Sequence, residues 1–310
     1  MTGLHTCWLR ASGRPRGTLI ALPGLAESSE AMLPTLRHWS GRGFDVLGID
    51  PRGHATSPRW TPDLLSRHAG DVIVEDILAT LDDVLVARSA PLVLFGHSAG
   101  GAAAAAVAAR LVTRVDAVLL EDPFWRLPVT QFQDQPVAAG AEAGLRRMRD
   151  MKPADRIKEI QALFPLWPED ELQAWAKTRD DTDLSLVADG HVIPSRGWTT
   201  LVADLTRAGV PVLVVTGTIR TGMTANHRAI LRALGADVHV VRGATHFIRR
   251  DARPLFHAIA DAFFDRHVPA DPASPGAVSM TAASEMPKSP AASPVTPRAL
   301  LPPGGYSWPK

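Results

Sequence analysis

Residues 91–110 read PLVLFGHSAGGAAAAAVAAR, and the turn inside this stretch decides the fold. The apolar run PLVLF leads directly into Gly96-His97-Ser98-Ala99-Gly100, and an alanine-rich segment typical of a helix follows. The pattern G-x-S-x-G between a buried strand and a helix predicts a sharp turn that holds the serine exposed above the sheet. Ser98 is therefore the candidate nucleophile, because the N-terminus of the following helix favours the anion formed during attack.

Five other short apolar runs surround this turn in the sequence. Each is rich in Val, Leu and Ile and is bounded by Gly, Pro or Asp, which is typical of a buried parallel strand. They are GTLIALPG (17–24), FDVLGID (44–50), DAVLLED (116–122), PVLVVTG (211–217) and DVHVVRG (237–243). Helix-length segments alternate with these runs, so the sequence predicts an α/β fold with a mostly parallel central sheet flanked by helices. LHTCWLRAS near the start adds an antiparallel edge strand.

Two regions depart from the alternation of strands and helices. Residues 124–197 show helical patterns and no strand-like run, which predicts a helical cap inserted between 1–123 and 198–268, the two parts of the core. Residues 269–310 hold ten of the 26 prolines and show no apolar periodicity. Such a segment buries too little surface to offset its ordering entropy, so we expect a disordered tail.

The overall composition is ordinary for a globular protein. Lys and Arg number 33 and Asp and Glu number 32, so no excess charge points to nucleic acid or to an anionic membrane surface. Cys7 is the single cysteine, which excludes an internal disulfide, and no Cys/His cluster has zinc spacing. The start has no apolar segment of a signal peptide, and no apolar stretch is long enough to span a bilayer. We expect a cytoplasmic protein without a metal or cofactor; its oligomeric state stays open.

A serine nucleophile needs a base, and the eleven histidines offer three candidates. His246 lies in GATHFIRRD, just after the run DVHVVRG and so at the carboxyl edge of the sheet, where catalytic groups gather. His54, in DPRGHATS after the second core strand, is the weaker alternative. His97 is adjacent to the nucleophile and would point elsewhere. His246 is therefore the predicted base.

Together these stretches resemble the α/β-hydrolase superfamily over about residues 15–267. The resemblance rests on LIALPGLAESS, DPRGHATS, GHSAGG and GATHFIRRD. It implies Ser98 as nucleophile, His246 as base, and the backbone N–H groups of Leu25 and Ala99 as the oxyanion hole. Many members have His-Gly where this chain has Pro23-Gly24, which alters the side chain beside the hole and leaves the backbone donor in place.

The third member of the expected triad, an acid, is missing from its usual place. In most members of the superfamily it follows the strand that here is PVLVVTG, but the sequence has no Asp or Glu from Gly217 to Ala236, and Arg220 stands where the acid is expected. Similarity to haloalkane dehalogenases with a relocated acid points to AVLLEDPFW and to Asp122. Glu121 is the alternative, since side chains alternate along a strand and only one of the two can face the base. A Ser-His dyad is the third possibility.

The resemblance implies a serine hydrolase that cleaves an ester, thioester or lactone through an acyl-enzyme. The tryptophans of the predicted cap favour a small apolar substrate. Acyl transfer or carbon–carbon bond hydrolysis on the same residues, and a ligand-binding protein without catalysis, remain as alternatives. The serine at position 98 argues against dehalogenase and epoxide hydrolase chemistry, in which this superfamily uses an aspartate nucleophile.

Overall fold

A computed structural model of the chain describes residues 3–85, 90–125, 136–178, 180–189 and 191–269. The predicted tail lies outside the described residues from residue 270 onward, as do residues 126–135 at the start of the predicted cap. No described helix combines the length and the apolar character needed to cross a membrane.

Seven strands form one sheet at the centre of the described structure. They are β1 (Thr6–Leu9), β2 (Gly17–Leu22), β3 (Phe44–Ile49), β4 (Leu92–His97), β5 (Ala117–Glu121), β6 (Val212–Thr216) and β7 (Asp237–Val240). Their order in the sheet is β1-β3-β2-β4-β5-β6-β7, and only the edge pair β1–β3 is antiparallel. The predicted α/β fold with a mostly parallel sheet and an antiparallel edge strand is confirmed.

The helices follow the strands along the chain. They are α1 (Leu33–Gly41), α2 (Pro62–Leu65), α3 (Ala69–Leu85), α4 (Ala99–Arg110), α5 (Pro136–Asp150), α6 (Pro153–Leu163), α7 (Glu169–Lys177), α8 (Leu184–Asp189), α9 (Trp198–Arg207), α10 (Ala225–Ala233), α11 (Ile248–Asp251) and α12 (Arg253–His267). A short 3-10 helix, Ser29–Met32, precedes α1. Helix α9 is an addition to the sequence-based prediction, which identified no helix between the cap and PVLVVTG.

Along each buried strand, side chains point alternately to the two faces of the sheet. They form two hydrophobic cores, one on each face. In β4, Leu92 and Leu94 join one core with α3, α4 and α9, whereas Val93 and Phe95 join the other with α1 and α12. Because both faces are covered, every residue of β4 is buried. The sheet edge at which the parallel strands end is therefore where functional side chains can emerge.

The glycines of the G-x-S-x-G turn are required by close packing. A Cβ atom on Gly96 would lie 2.3 Å from the carbonyl oxygen of Gly100, and one on Gly100 would lie 2.3 Å from the carbonyl oxygens of Leu22 and Pro23. Real Cβ atoms do not approach backbone so closely. The buried alanines 102–106 extend this close contact along α4. The turn therefore brings Ser98 directly beside the loop that follows β2.

Candidate active site

Ser98 occupies the turn between β4 and α4 in a strained backbone conformation. Its φ is 54° and its ψ is −120°, a region that non-glycine residues rarely adopt. Its N–H donates to the carbonyl oxygen of Glu121 on the neighbouring strand at 3.0 Å, and its own carbonyl accepts from Phe124 at 2.9 Å. Residues at the end of β5 therefore hold the turn in place.

The backbone N–H groups of Leu25 and Ala99, the predicted oxyanion hole, have no acceptor among the described residues. Ala99 opens α4, where a helix has no internal acceptor for its first N–H groups. Leu25 lies in a loop whose neighbouring donors are occupied, because Gly24 donates to Glu27 at 3.3 Å and Ala26 to His54 Nε2 at 3.1 Å. This loop runs close to the serine, because a Cβ atom on Gly24 would lie 3.2 Å from Ser98 Cβ.

His246 and Asp122 meet inside the protein. Asp122 Oδ2 lies 2.5 Å from His246 Nδ1, and both residues are buried. Asp122 follows the last residue of β5 with a φ of 37°, a left-handed conformation that aspartate tolerates better than most residues. His246 lies in the loop after β7. The structure thus brings together a carboxylate and an imidazole that are 124 positions apart in sequence.

The loop after β6, where the superfamily usually has its acid, supplies donors to Asp122 instead. Thr216 at the end of β6 donates its hydroxyl to Asp122 Oδ1 at 2.5 Å, and the Gly222 N–H donates to Oδ2 at 2.9 Å. Both donors are neutral, so neither places a positive charge beside the carboxylate. Arg220, which stands at the expected acid position, is exposed to solvent.

Glu121, the alternative acid, points to the opposite side of the strand. Its carboxylate accepts from the Arg249 N–H at 2.8 Å and from the Arg249 guanidinium at 2.5 Å, and both side chains are completely buried. Glu121 is therefore engaged with the helix that follows His246 and not with its imidazole. Strand alternation separates the two acids in the way that the sequence predicts.

The two other candidate histidines brace loops around Ser98. His54 Nε2 accepts from the Ala26 N–H, and its Nδ1 lies 3.2 Å from the carbonyl oxygen of Arg52, so it holds the loop that contains Leu25. His97 is buried with Nδ1 2.8 Å from Glu27 Oε2 and Nε2 3.1 Å from the carbonyl oxygen of His246. Neither ring is placed as His246 is, against Asp122.

A buried ionic cluster lies under this arrangement and was not anticipated from the sequence. Glu27 contacts Arg250 at 2.6 Å and Arg249 at 3.2 Å. Burial alone would raise the pKa of Glu27, but Arg250 and Arg249 hold that pKa well below its ordinary value. Arg250 also contacts Glu171 of α7 at 3.2 Å, so the cluster reaches the helical insertion. The sequence shows two adjacent arginines after His246, but nothing in the neighbouring residues indicates that these side chains are buried.

The predicted cap region contains the helices α5–α8, and two of their contacts with the core lie close to the candidate residues. Leu145 of α5 and Val187 of α8 pack with Ala26 and the partly buried Leu25. Trp167, in the loop before α7, donates its ring N–H to Asp251 at 2.8 Å, and the Arg250 guanidinium lies 4.8 Å from its ring centre. These helices therefore lie against the loop of Leu25 and against the segment that follows His246.

Two surface clefts in the described residues lie outside the group formed by Ser98, Asp122 and His246. The clefts, of about 250 and 280 Å³, have linings that include Phe263 and Arg266 in one case and Arg146 and Arg149 in the other. Neither cleft is lined by Ser98, so neither describes the space beside the serine. No group of three or more His, Cys, Asp or Glu side chains in the described ranges is arranged to hold a metal ion.

The sequence matches the family model of serine aminopeptidases, S33, over residues 13–252, which is most of the chain. The chain belongs to this family. It is a hydrolase with the α/β-hydrolase fold. The S33 match contains the strands and turns that carry Ser98, Asp122 and His246. A search of curated proteins found no match.

Solved structures show the same fold at low sequence identity. The N-formylmaleamic acid deformylase from Pseudomonas putida S16 is similar with a TM-score of 0.65 and 18% identity, over 83% of this chain and 95% of that chain. The enol-lactonase from Burkholderia xenovorans LB400 gives 0.62 and 22%, over 84% and 96%. A thermophilic esterase from Thermogutta terrifontis gives 0.60 and 18%, over 85% and 94%. At these identities the likeness concerns the fold.

Proposed function

We propose that this S33-family protein is a serine hydrolase that cleaves an ester, thioester or lactone of a small apolar substrate with Ser98, His246 and Asp122. The observation that carries the proposal is the buried contact of 2.5 Å between Asp122 Oδ2 and His246 Nδ1. A carboxylate at Nδ1 leaves Nε2 as the basic nitrogen of the imidazole. The strained turn at Ser98 supports the same assignment, since such turns present the nucleophile in this fold.

In the proposed mechanism, Ser98 Oγ attacks the carbonyl carbon of the substrate while His246 Nε2 takes the hydroxyl proton. Asp122 accepts the Nδ1 hydrogen and stabilises the imidazolium that forms. The neutral donors Thr216 and Gly222 hold Asp122 without cancelling its charge. His246 then returns the proton to the leaving group, and an acyl-enzyme on Ser98 results. Water, activated by the same imidazole, releases the acyl group.

We assign the oxyanion hole to the N–H groups of Leu25 and Ala99. The oxyanion of a tetrahedral intermediate needs two donors fixed before it forms. Both N–H groups are without an acceptor among the described residues, and the loop of Leu25 runs close to Ser98, since a Cβ atom on Gly24 would lie 3.2 Å from Ser98 Cβ. The N-terminus of α4 adds a favourable dipole for negative charge at the same place.

We also propose that residues 124–197 act as a cap over the serine. Support comes from α5 and α8, which contribute Leu145 and Val187 beside Leu25. Aliphatic side chains at this place favour an apolar group on the substrate. The names of the similar structures, a deformylase, an enol-lactonase and an esterase, support small molecules as the substrate class.

A fluorophosphonate probe tests the proposed function without knowledge of the substrate. It reacts with a serine only when that serine is activated, so we expect covalent labelling at Ser98, mapped by peptide mass spectrometry. His246→Ala is expected to abolish labelling while the protein stays folded. A folded wild-type protein that fails to react would contradict the proposal and favour a ligand-binding role. If the protein is labelled, esters, thioesters and lactones of graded acyl size, with and without an alcohol acceptor, separate hydrolysis from acyl transfer.

A further inference from the structure

A second buried histidine–carboxylate contact lies beside the proposed triad and takes no part in the mechanism above. His97 and Glu27 are 1% and 2% exposed, and His97 Nδ1 lies 2.8 Å from Glu27 Oε2. His97 directly precedes Ser98, and its ring centre lies 4.7 Å from that of His246. The contact therefore lies beside the two residues that exchange a proton in the proposed mechanism.

We infer that Glu27 and His97 are positioning residues that hold the base and the oxyanion loop in register with Ser98. This inference rests on the proposed function, because it assumes that Ser98 and His246 react. Neither side chain is assigned a contact with substrate. Their proposed role is to fix backbone that carries reacting groups.

His97 fixes the backbone of the base. Its Nε2 lies 3.1 Å from the carbonyl oxygen of His246, so the residue before the nucleophile is tied to the loop of the base. Both ring nitrogens of His97 face acceptors, a carboxylate and a carbonyl. A singly protonated ring can donate to one of them at a time, and a doubly protonated ring can donate to both. The contact with the His246 carbonyl is the one that fixes the base, and substitutions that keep one contact or the other can test this assignment.

Glu27 fixes the oxyanion loop. Its Oε2 accepts from the Gly24 N–H at 3.3 Å, one residue before the Leu25 donor. The loop leaves no spare space, since a Cβ on Gly24 would lie 3.0 Å from His97 Nδ1 and 3.2 Å from Ser98 Cβ. A displacement of Glu27 or His97 would therefore move the Leu25 N–H relative to the serine.

Two arginines hold Glu27 in place from the other side. Arg250 lies 2.6 Å from Oε1 and Arg249 lies 3.2 Å from Oε2, and both are completely or almost completely buried. Both arginines belong to α11, which begins two residues after His246. The Glu27 carboxylate thus connects the loop after β2, the turn at Ser98 and the helix after His246. The proposed reaction depends on the relative position of these three segments.

The test compares two substitutions of His97 by a residue with an amide side chain. Each variant can keep one of the two contacts that the ring makes. In His97→Gln the longer side chain can place an N–H where Nε2 lies and donate to the His246 carbonyl. In His97→Asn the shorter side chain can place an N–H where Nδ1 lies and donate to Glu27. The rate of fluorophosphonate labelling, and kcat and KM on p-nitrophenyl butyrate, are measured for both, with thermal unfolding as a check of the fold.

We expect His97→Asn to lose about 10- to 100-fold in kcat and in labelling rate, and His97→Gln to retain at least about ten times more activity, with KM similar in both. Equal rates for the two variants, or a loss confined to KM, would overturn the inference. These outcomes are separate from failure of the proposed function, in which the wild-type protein itself is neither labelled nor active.

Glu27→Gln and Glu121→Gln form a second matched pair. Each removes one buried carboxylate from Arg249, so both variants are expected to melt at lower temperature. Glu27→Gln alone disturbs the oxyanion loop and His97, so we expect it to lose about 10- to 100-fold in kcat when measured below its melting temperature, and Glu121→Gln to lose much less. Equal losses of kcat in the two variants would show that Glu27 acts through stability and would overturn its positioning role.

Discussion

The protein contains two buried histidine–carboxylate contacts side by side, and their surroundings differ in charge. Asp122, against His246, is held by a hydroxyl and a backbone N–H, both neutral. Glu27, against His97, is held by two arginines. An anion among neutral donors can stabilise a cation that forms beside it, whereas an anion already paired with two cations has little charge left to offer. The same pair of functional groups is therefore suited to catalysis in one place and to positioning in the other.

The surroundings of Asp122 also include the place after β6 where the superfamily usually has its acid. The end of β6 and the loop after it hold no carboxylate here, but they lie next to Asp122 and contribute the Thr216 hydroxyl and the Gly222 N–H to it. Gly217 lets this loop approach the loop of the base, because a Cβ there would lie 2.2 Å from the Ala244 carbonyl oxygen. The two loops pack against each other, and the carboxylate beside His246 comes from the end of β5.

The largest effect is expected from Asp122→Asn, which replaces the carboxylate in the contact with His246. The amide cannot stabilise the imidazolium and favours the wrong tautomer of His246, so kcat on p-nitrophenyl butyrate should fall by about four orders of magnitude. Glu121→Gln serves as control and should lose less than about tenfold, because Glu121 faces Arg249. If Asp122→Asn also stays within tenfold, the assignment of the acid is wrong.

A smaller effect is expected from Thr216→Val, which removes one neutral donor from Asp122 and leaves the shape of the side chain nearly unchanged. Loss of a buried hydrogen bond to a carboxylate should lower kcat by about tenfold. Thr113→Val, at an exposed position after α4, is the matched control and should change kcat by less than about twofold. A full-rate Thr216→Val enzyme would mean that the hydroxyl does not support the acid.

The smallest effect concerns a third histidine, His257, and the stability of the fold. Burial and the neighbouring His38 lower the pKa of His257 from 6.5 to about 4, although Asp261 opposes this shift. The Asp261 carboxylate binds His38 instead, at 2.8 Å, and the two imidazoles stack at 4.0 Å. Because the unfolded chain takes up the proton first as the pH falls, stability is lost between pH 6.5 and 4.

The expected loss is on the order of 1 kcal/mol in the free energy of unfolding, since His257 is partly exposed. Urea unfolding of the wild type and of His257→Asn at pH 7.5 and pH 4.5 measures it. The variant should show a weaker dependence on pH, because an amide does not titrate. Identical dependence in both proteins would exclude His257 as the source.

The sequence by itself determined the strands, the sheet and the turn at Ser98. These depend on local patterns: apolar runs bounded by turn residues, and small residues wherever backbone segments meet. It also pointed to His246, because strand ends mark the functional edge of a parallel sheet. For the acid, the sequence left two adjacent candidates. Alternation along a strand places Glu121 and Asp122 on opposite sides but does not say which of them faces the base.

Only the tertiary structure decided which carboxylate meets which cation. Asp122 and His246 are 124 positions apart, and Glu27 lies more than 200 positions from the arginines that hold it. The energy of a buried charge depends on the groups within a few ångströms, and these come from distant parts of the chain. The helix α9 and the burial of Arg249 and Arg250 escaped prediction for the same reason, because they are set by what packs against them and not by their own sequence.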